Sequence, residues 1–408
     1  MSTFTETANA HVAAHPDEVR RHAWQAFTTV GLPTTSDEVW RYAPINKFTL
    51  DAYSLDATAA ASPATPFALA LAERAGTIVT LVNGIITDIQ NAPEGLSISQ
   101  ETGVQADVVD RYAGDAFALL NCALTPNPVV LRVADNATIT EPVLILSSTT
   151  ARSSFPQMRI ELGRSSSLSV VEYLDGGADA LVVPLTDFQI GDNASLHMTT
   201  YQRLATSAWH VARSTAFLHR DSRMHQSVLS IGGGYNRSRN DAHILGTGAA
   251  NELRTTFLGA GEQVHDFRTR QFHIIGRSTS TLLSKGAVAD NARSIYTGLI
   301  EIEKGAKRTD ARQTNHNLLL SPHAHADSVP NLDIRENDVM CAHASSVGPL
   351  DELQRWYLES RGVSRHDAER LMIQGFFYEM LSSLPAALSG VVEDDLRDTL
   401  ANVNVVTP

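Results

Sequence analysis

Short apolar runs separated by polar turns repeat along the middle of the chain, from about residue 129 to residue 348. The first apolar residues after successive turns are Ile139, Leu168, Leu196, Met224, Leu253, Leu282 and Val339, with Ala311 where one step is missing. Each step covers about 28 or 29 residues. A fixed period of this length predicts a solenoid in which every coil buries its apolar face against its neighbours.

The composition of each period indicates the kind of solenoid. The coils contain strand-like apolar runs with Gly, Asn and Ser at the corners, and no helical spacing lies between them. This pattern predicts a mainly β chain whose centre is a parallel β-helix. A β-sandwich is the alternative, although the turns of a sandwich follow a less regular period.

The N-terminal segment has helical spacing instead. Asp17 can cap a helix that Gly31 ends. Further on, Trp40 and Tyr42 predict an aromatic plug that seats this helical arm on the body of the protein, with a binding site as the alternative. Residues 52–75 are rich in Ala, Ser, Thr and Pro and predict a loosely structured connector before a small helix.

A hairpin and a second helical region suggest the other boundaries. Asn83 and Gly84, between two β-branched runs, predict a tight hairpin turn. After Gly348 the period stops, and two helices follow. The apolar stripe expected on the second helix is Ala368, Leu371, Met372, Gly375, Phe376, Met380 and Leu384. We therefore expect a helical arm with connector over 1–75, a hairpin and β-helix core over 76–348, and a C-terminal helical domain over 349–408.

Composition narrows the class of protein. The formal net charge of -13 argues against nucleic-acid binding of the usual basic kind. The two cysteines cannot form a disulfide framework, and Cys122 lies in an apolar helical stretch that predicts a buried thiol. The first residues lack the pattern of a signal peptide, and no apolar run is long enough to span a membrane. These features predict a soluble cytoplasmic protein.

Most catalytic motifs are missing from the sequence. There is no phosphate-loop pattern, since Gly232, Gly233 and Gly234 are followed by Tyr235, and this glycine run predicts a tight corner of the β-helix. There is also no nucleophile elbow, no zinc-protease helix motif and no CxxC pair.

One histidine cluster could carry metal chemistry. His323, His325 and Asp327 alternate and would point the same way in a strand. Imidazole and carboxylate ligands suit zinc or iron, so a metal-dependent hydrolase or lyase is one interpretation. The other is that these are turn or surface histidines beside Pro322.

Cys341 and His343 are the second candidate pair. In a strand they share a face, and a thiolate beside an imidazole suits iron or an iron–sulfur cluster. A buried cysteine beside a satisfied core histidine is the alternative. Two side chains cannot complete a four-coordinate site, so a partner chain would have to supply the remaining ligands.

Several motifs in a fixed order resemble the SufB/SufD family of iron–sulfur cluster assembly scaffolds. They are NLLLS from Asn317, P-x-L-x-I from Pro330, the acidic-Val-x-Cys-x-His core from Asp338, and YLESRG from Tyr357. HDFRTRQFH and GLPTTSDEVWRYAP are also similar to the family. The N-terminal cysteine cluster found in many SufB proteins is absent, so the SufD branch is the better match.

The resemblance implies a right-handed parallel β-helix flanked by helical segments in a non-enzymatic subunit of the SufBCD complex. A SufB-like protein would pair with the β-helix, and a SufC-like ABC ATPase would bind the C-terminal helices. ATP-driven closure of two ATPase subunits would rearrange the pair. A homodimer is possible in isolation.

The resemblance also assigns residues. A transient iron–sulfur cluster or iron would form at the interface with the SufB-like partner, near His343 and Cys341, with His343 the ligand expected on this side. Family complexes have been associated with reduced flavin, but no flavin motif is readable in this sequence. The residues that match the ATPase-binding segment are Tyr357, Arg361, Gly362, Met372, Phe376, Phe377 and Met380.

Overall fold

A computed structural model describes residues 3–55, 64–381, 384, 386–401 and 403. Its centre is a parallel β-solenoid of about eight turns, with helices before and after it. The predicted mainly β architecture is therefore confirmed. The connector expected over 52–75 lies partly outside the described residues, and its predicted small helix is present at Pro66–Ala72.

The helices in chain order are α1 (Phe4–Ala14), α2 (Glu18–Val30), α3 (Pro66–Ala72), α4 (Ala106–Arg111), α5 (Ala116–Leu124), α6 (Glu352–Ser360), α7 (Arg365–Leu381) and α8 (Ala386–Ala401). Short 3₁₀ turns occupy Glu38–Trp40, Ile45–Lys47 and Leu50–Ala52. None of the helices in the described ranges is both long enough and apolar enough to span a lipid bilayer.

The strands in chain order are β1 (Thr77–Val82), β2 (Ile85–Gln90), β3 (Leu96–Gln100), β4 (Val129–Val133), β5 (Val143–Thr149), β6 (Ser153–Ser154), β7 (Gln157–Leu162), β8 (Ser167–Gly176), β9 (Leu181–Val182), β10 (Leu185–Ile190), β11 (Ser195–Gln202), β12 (Trp209–Leu218), β13 (Arg223–Ser230), β14 (Tyr235–Ile244), β15 (Ala250–Gly259), β16 (Val264–His273), β17 (Thr279–Val288), β18 (Arg293–Ile302), β19 (Asp310–Leu319), β20 (His325–Ile334) and β21 (Met340–Gly348).

Two sheets form the walls of the solenoid. The first has the strand order β2-β1-β5-β8-β11-β13-β15-β17-β19-β21, and the second has the order β20-β18-β16-β14-β12-β10-β7-β4-β3. The pairs are parallel except β1 with β2 and β3 with β4. Asn83 and Gly84 form the turn between β1 and β2 with positive φ angles, as their sequence predicts.

Each coil has a left-handed residue at one corner. These residues are Asn136, Ser165, Asn193, Asp221, Gly248, Arg277 and Arg308. The backbone N–H of Ser165 donates to the carbonyl of Asp192 in the next coil, and that of Asn193 donates to Arg220, both at 2.8 Å. The sequence predicts Gly, Asn and Ser at the corners, and four of these seven positions carry them, whereas Asp221, Arg277 and Arg308 hold the other three.

The period is confirmed, but the predicted register is wrong at three steps, the last of which is at Ala311, whose partner is Cys341 and not Val339. Met224 pairs with Asn251, and Leu253 pairs with Gln226. Leu282 likewise pairs with Gln313 rather than with Ala311. Coils differ in length, and an error of two residues keeps a side chain on the same face of its strand. The predicted anchors therefore still point inwards.

The N-terminal helices cover the second sheet. Asp17 caps α2 by accepting the N–H of Val19, and Gly31 ends the helix. Trp40 is buried between Phe117 and the sheet, with the guanidinium of Arg237 3.8 Å from the centre of its ring. The predicted aromatic plug is therefore confirmed for Trp40, while Tyr42 is only partly buried. The helix α1 was not revealed by the sequence pattern.

The C-terminal helices α7 and α8 pack on the side of the first sheet, and the predicted stripe is right in part, since Ala368, Met380 and Leu384 are buried. On α7 the buried residues are Ala368, Glu369, Ile373, Phe377, Met380 and Leu381. Leu371 and Gly375 from the predicted stripe are exposed. The helix α7 contacts β15 and β17, and Ile373 and Phe377 share an apolar cluster with Leu258 and Ala287 of these strands, whose positions cannot be inferred from the helix alone.

Candidate functional site

The β-helix ends in a coil that nothing covers in the described part of the chain. We call β20 and β21 the end coil, since each is the last strand of its sheet. Ile334 continues the inward-facing position of Ile302, yet Ile334 is 41% exposed whereas Ile302 is 0% exposed. Leu332 and Val347 are also inward-facing and exposed. The apolar interior is therefore open at this end.

Cys341 and His343 face this open interior. Cys341 pairs with Ala311 and His343 pairs with Gln313, two residues whose side chains lie inside the preceding coil. The prediction that Cys341 and His343 share a face of one strand is confirmed. Val339, just before β21, packs with Cys341 against the Ile300 cluster, so the thiol is half-buried and the imidazole is exposed.

The electrostatics of the thiol affect what it can bind. Burial raises the pKa of the Cys341 thiol, and the charge of Asp310 raises it further. The thiol is therefore protonated at neutral pH and would lose its proton on binding a metal. The adjacent imidazole can accept or donate a hydrogen bond, or ligate a metal through either ring nitrogen.

Polar side chains join the two sheets beside this pair. Asn315 Nδ2 donates to the hydroxyl of Ser328 at 2.8 Å, and that hydroxyl lies 2.7 Å from the hydroxyl of Ser345. Sequence reasoning missed these residues and also Gln313. They could have been found only from the pairing of β19 with β21. That pairing depends on the exact register of the strands, which the average period does not give.

The histidine row proposed from the sequence is assembled only in part, since His325 Nε2 lies 3.3 Å from Asp327 Oδ1 but His323 is not in line with them. His323 lies in a turn before β20, so it does not alternate with His325 along a strand. The carboxylate of Asp327 accepts hydrogen bonds from Arg293 at 2.6 and 2.9 Å and is already paired. His316 is on the outer face, with Nδ1 2.5 Å from the hydroxyl of Ser346. The structure therefore separates these side chains from Cys341 and His343.

No metal site is preformed in the described ranges. No group of three or more His, Cys, Asp or Glu side chains there is arranged to hold a metal ion. Cys341 and His343 together provide two ligands, so the prediction that a partner supplies the others stays a prediction.

A second exposed surface lies on α6 and the outer side of α7. None of the side chains of α6 is buried; Leu353 is 78% exposed and Trp356 is 66% exposed. Tyr357 is also exposed, and the guanidinium of Arg361 lies 5.1 Å from the centre of its ring. Gly362 has a φ of +90° in the turn that leads to α7, a conformation that favours glycine.

The residues that the sequence assigned to this surface differ in their exposure to solvent. Tyr357, Arg361 and Gly362 are exposed, whereas Met372 and Phe376 are partly buried. Phe377 and Met380 are buried and belong to the core rather than to an exposed docking surface. The exposed apolar residues that the sequence analysis did not assign are Leu353, Trp356, Leu371 and Tyr378.

The chain is similar to known proteins over most of its length. A family model described as SUF system FeS cluster assembly, SufBD core domain, matches residues 144–376. Iron-sulfur cluster assembly protein SufD of Bacillus subtilis is 32% identical over 307 residues, which are 74% of this chain and 70% of that protein. SufD of Escherichia coli is 26% identical over 379 residues, covering 90% of this chain and 88% of that protein. An iron-sulfur cluster assembly SufBD family protein of Mycobacterium tuberculosis is 28% identical over 387 residues and covers 90% of each chain.

Proposed function

This chain belongs to the SufBD family of iron–sulfur cluster assembly proteins, and from that premise we propose that it is a non-catalytic scaffold subunit of a Suf assembly complex. The observation that carries the proposal is the open end coil, where Cys341 and His343 face an interior that the described residues leave open. A scaffold needs such an incomplete site, because a cluster must be built there and then released.

The end coil is the proposed surface for a SufB-like partner. Its exposed inward-facing residues Leu332, Ile334 and Val347 would be buried by a second β-helix placed end to end. The partner would also add the missing ligands. Iron or a nascent cluster is then the substrate, and we call it the cargo; the His343 imidazole and the Cys341 thiol are the contributions of this chain. In isolation, the same surface can pair with a second copy of the chain.

The α6 surface is the proposed site for a SufC-like ABC ATPase. An amphipathic helix with an exposed Trp and Leu is typical of a docking element, since large apolar side chains contribute most of the binding energy at interfaces. Because α7 is packed on the first sheet, movement of the ATPase would be transmitted to the β-helix. The chain would therefore act by transmitting movement of the ATPase and by positioning its side chains at the end coil.

Co-expression with the SufB-like and SufC-like proteins of the same cell tests this function. We expect a complex with one copy of each β-helix protein and two copies of the ATPase. Ile334→Lys should remove the SufB-like protein and retain the ATPase, and Trp356→Ala should do the reverse, so each variant is the control for the other. Purification of the wild-type chain without either protein would contradict the proposal.

A further inference from the structure

Gln313 is a buried amide without a hydrogen-bond partner. Its side chain is 1% exposed, and neither its oxygen nor its nitrogen has a partner among the residues that the structure describes. Buried polar groups in proteins are almost always paired, because leaving one unpaired costs free energy. An amide that is unpaired on both sides points to a partner that arrives in the functional state.

The opposite sheet leaves room for this amide. Gly298 lies across the interior from Gln313, and a Cβ atom at Gly298 would come within 2.4 Å of Gln313 Oε1 and 2.5 Å of the Tyr296 hydroxyl. A side chain larger than hydrogen at Gly298 would therefore displace both groups. The amide occupies a space that the fold keeps open for it.

The neighbour of Gln313 towards the open end is His343. The two residues are register partners on β19 and β21, and their side chains point to the same face. Adjacent strands are about 4.8 Å apart, a distance that a glutamine side chain can reach across. Going the other way from the open end, Gln313 pairs with the apolar Leu282. Of the two register partners of Gln313, His343 is therefore the polar one.

We propose that Gln313 is a positioning residue for the cargo site, whose amide hydrogen-bonds the imidazole of His343 in the assembled complex and fixes which ring nitrogen faces the cargo. This rests on the proposed role of His343 as a ligand. A metal-bound histidine usually donates a hydrogen bond from its other N–H, and Gln313 Oε1 can accept that hydrogen bond. The fixed orientation would prepare the ligand before iron arrives.

The test uses Co²⁺ as a probe and the complex of the full chain with its SufB-like partner. We expect Gln313→Met to weaken Co²⁺ binding by about 10- to 100-fold, as read from the absorption bands of the bound ion. Gln313→Glu keeps an acceptor of the same length and should restore most of the affinity. The matched control is Gln271→Met, which removes another buried amide with an unpaired nitrogen, on β16 in the other sheet.

Three results would overturn the proposal: wild-type Co²⁺ affinity in Gln313→Met, an equal loss in Gln271→Met, or a large drop in thermal stability in Gln313→Met. The last would show that water inside the fold already satisfies the amide. If the proposed function itself is wrong and His343 is not a ligand, the result differs from these three. The complex carrying His343→Ala would then bind Co²⁺ as tightly as the wild-type complex does.

Discussion

Lys285 on β17 binds Glu379 on α7, with Nζ 2.7 Å from Oε2, and also donates to the carbonyl of Phe376 at 3.2 Å. The lysine side chain is mostly buried, while that of Glu379 is 57% exposed. The hydrogen bond from Lys285 lowers the pKa of the Glu379 carboxyl, and the lysine charge adds to the effect. This pair fastens the helix next to the proposed ATPase surface onto the β-helix.

Lys285→Met should therefore loosen α7. We expect a loss of about 1 kcal/mol in the free energy of unfolding at neutral pH, since one partly exposed ion pair and one hydrogen bond are removed. The folded pKa of Glu379 is lowered, so the stability contributed by its charge is present above its unfolded pKa and is lost as the pH falls through the folded pKa. Denaturant unfolding at neutral and acid pH should show the difference shrinking in acid.

The control for this variant is Arg312→Met, which removes an exposed cation paired with Asp310 and should change stability little. An equally large loss for Lys285→Met at both pH values would contradict the electrostatic part of this explanation.

The interior of the β-helix alternates large and small residues at Phe257 and Gly286, which are register partners. A Cβ atom at Gly286 would come within 1.9 Å of the Phe257 ring. Gly286→Ala should therefore lower the free energy of unfolding by about 1–3 kcal/mol through overpacking. Gly348→Ala is the control, because nothing lies within 4 Å of that Cβ position. If Phe257→Leu does not recover part of the loss in the double variant, steric overlap is not the cause.

The corners show how much of the fold could be predicted from the sequence. Asn136, Asn193 and Gly248 are residue types typical of left-handed positions, so corners of this kind were predictable from the sequence. Arg277 and Arg308 hold the same conformation without any turn signal in their residue type. The register was nevertheless wrong where the corners are not 28 or 29 residues apart, since Asp221 and Gly248 are 27 residues apart and Arg277 and Arg308 are 31 residues apart.

The candidate site was predictable in part. The alternation in β21 put Cys341 and His343 on one face, and the structure agrees. Whether that face is inside or outside depends on packing between sheets, which spacing along one strand does not define. The neighbours of the pair, Gln313 and Ser328, come from β19 and β20, so their proximity could be found only once the coils were placed in register.

Glu172 gives the interior a pH dependence of its own. It lines a cavity of about 40 Å³ inside the β-helix together with His210 and Gln226. Burial raises the pKa of Glu172 from 4.5 to about 7. The unfolded chain ionises first as the pH rises, so stability from this residue is fully present below the unfolded pKa and is lost as the pH rises through the folded pKa.

Glu172→Gln should therefore be more stable than the wild-type chain above neutral pH, by up to about 3 kcal/mol, and nearly equal to it in acid. Denaturant unfolding on both sides of the transition measures this difference. Glu94→Gln, at an exposed position, should show no such change with pH. A constant difference between Glu172→Gln and wild type at all pH values would show that folding does not raise the pKa of Glu172.

The proposed ligand role predicts that His343→Ala lowers cluster assembly by the complete complex at least about tenfold, since even changing an outer partner of a metal-binding histidine typically costs that much. Because His343 is exposed at the open end, its removal should leave folding and the ATPase contact intact. Iron and sulfide content of the purified complex measures the effect. His316→Ala is the matched control, because His316 belongs to the same segment but bonds Ser346 on the outer face. Equal cluster content in the two variants would remove His343 from the site and leave Cys341 as the remaining ligand on this chain.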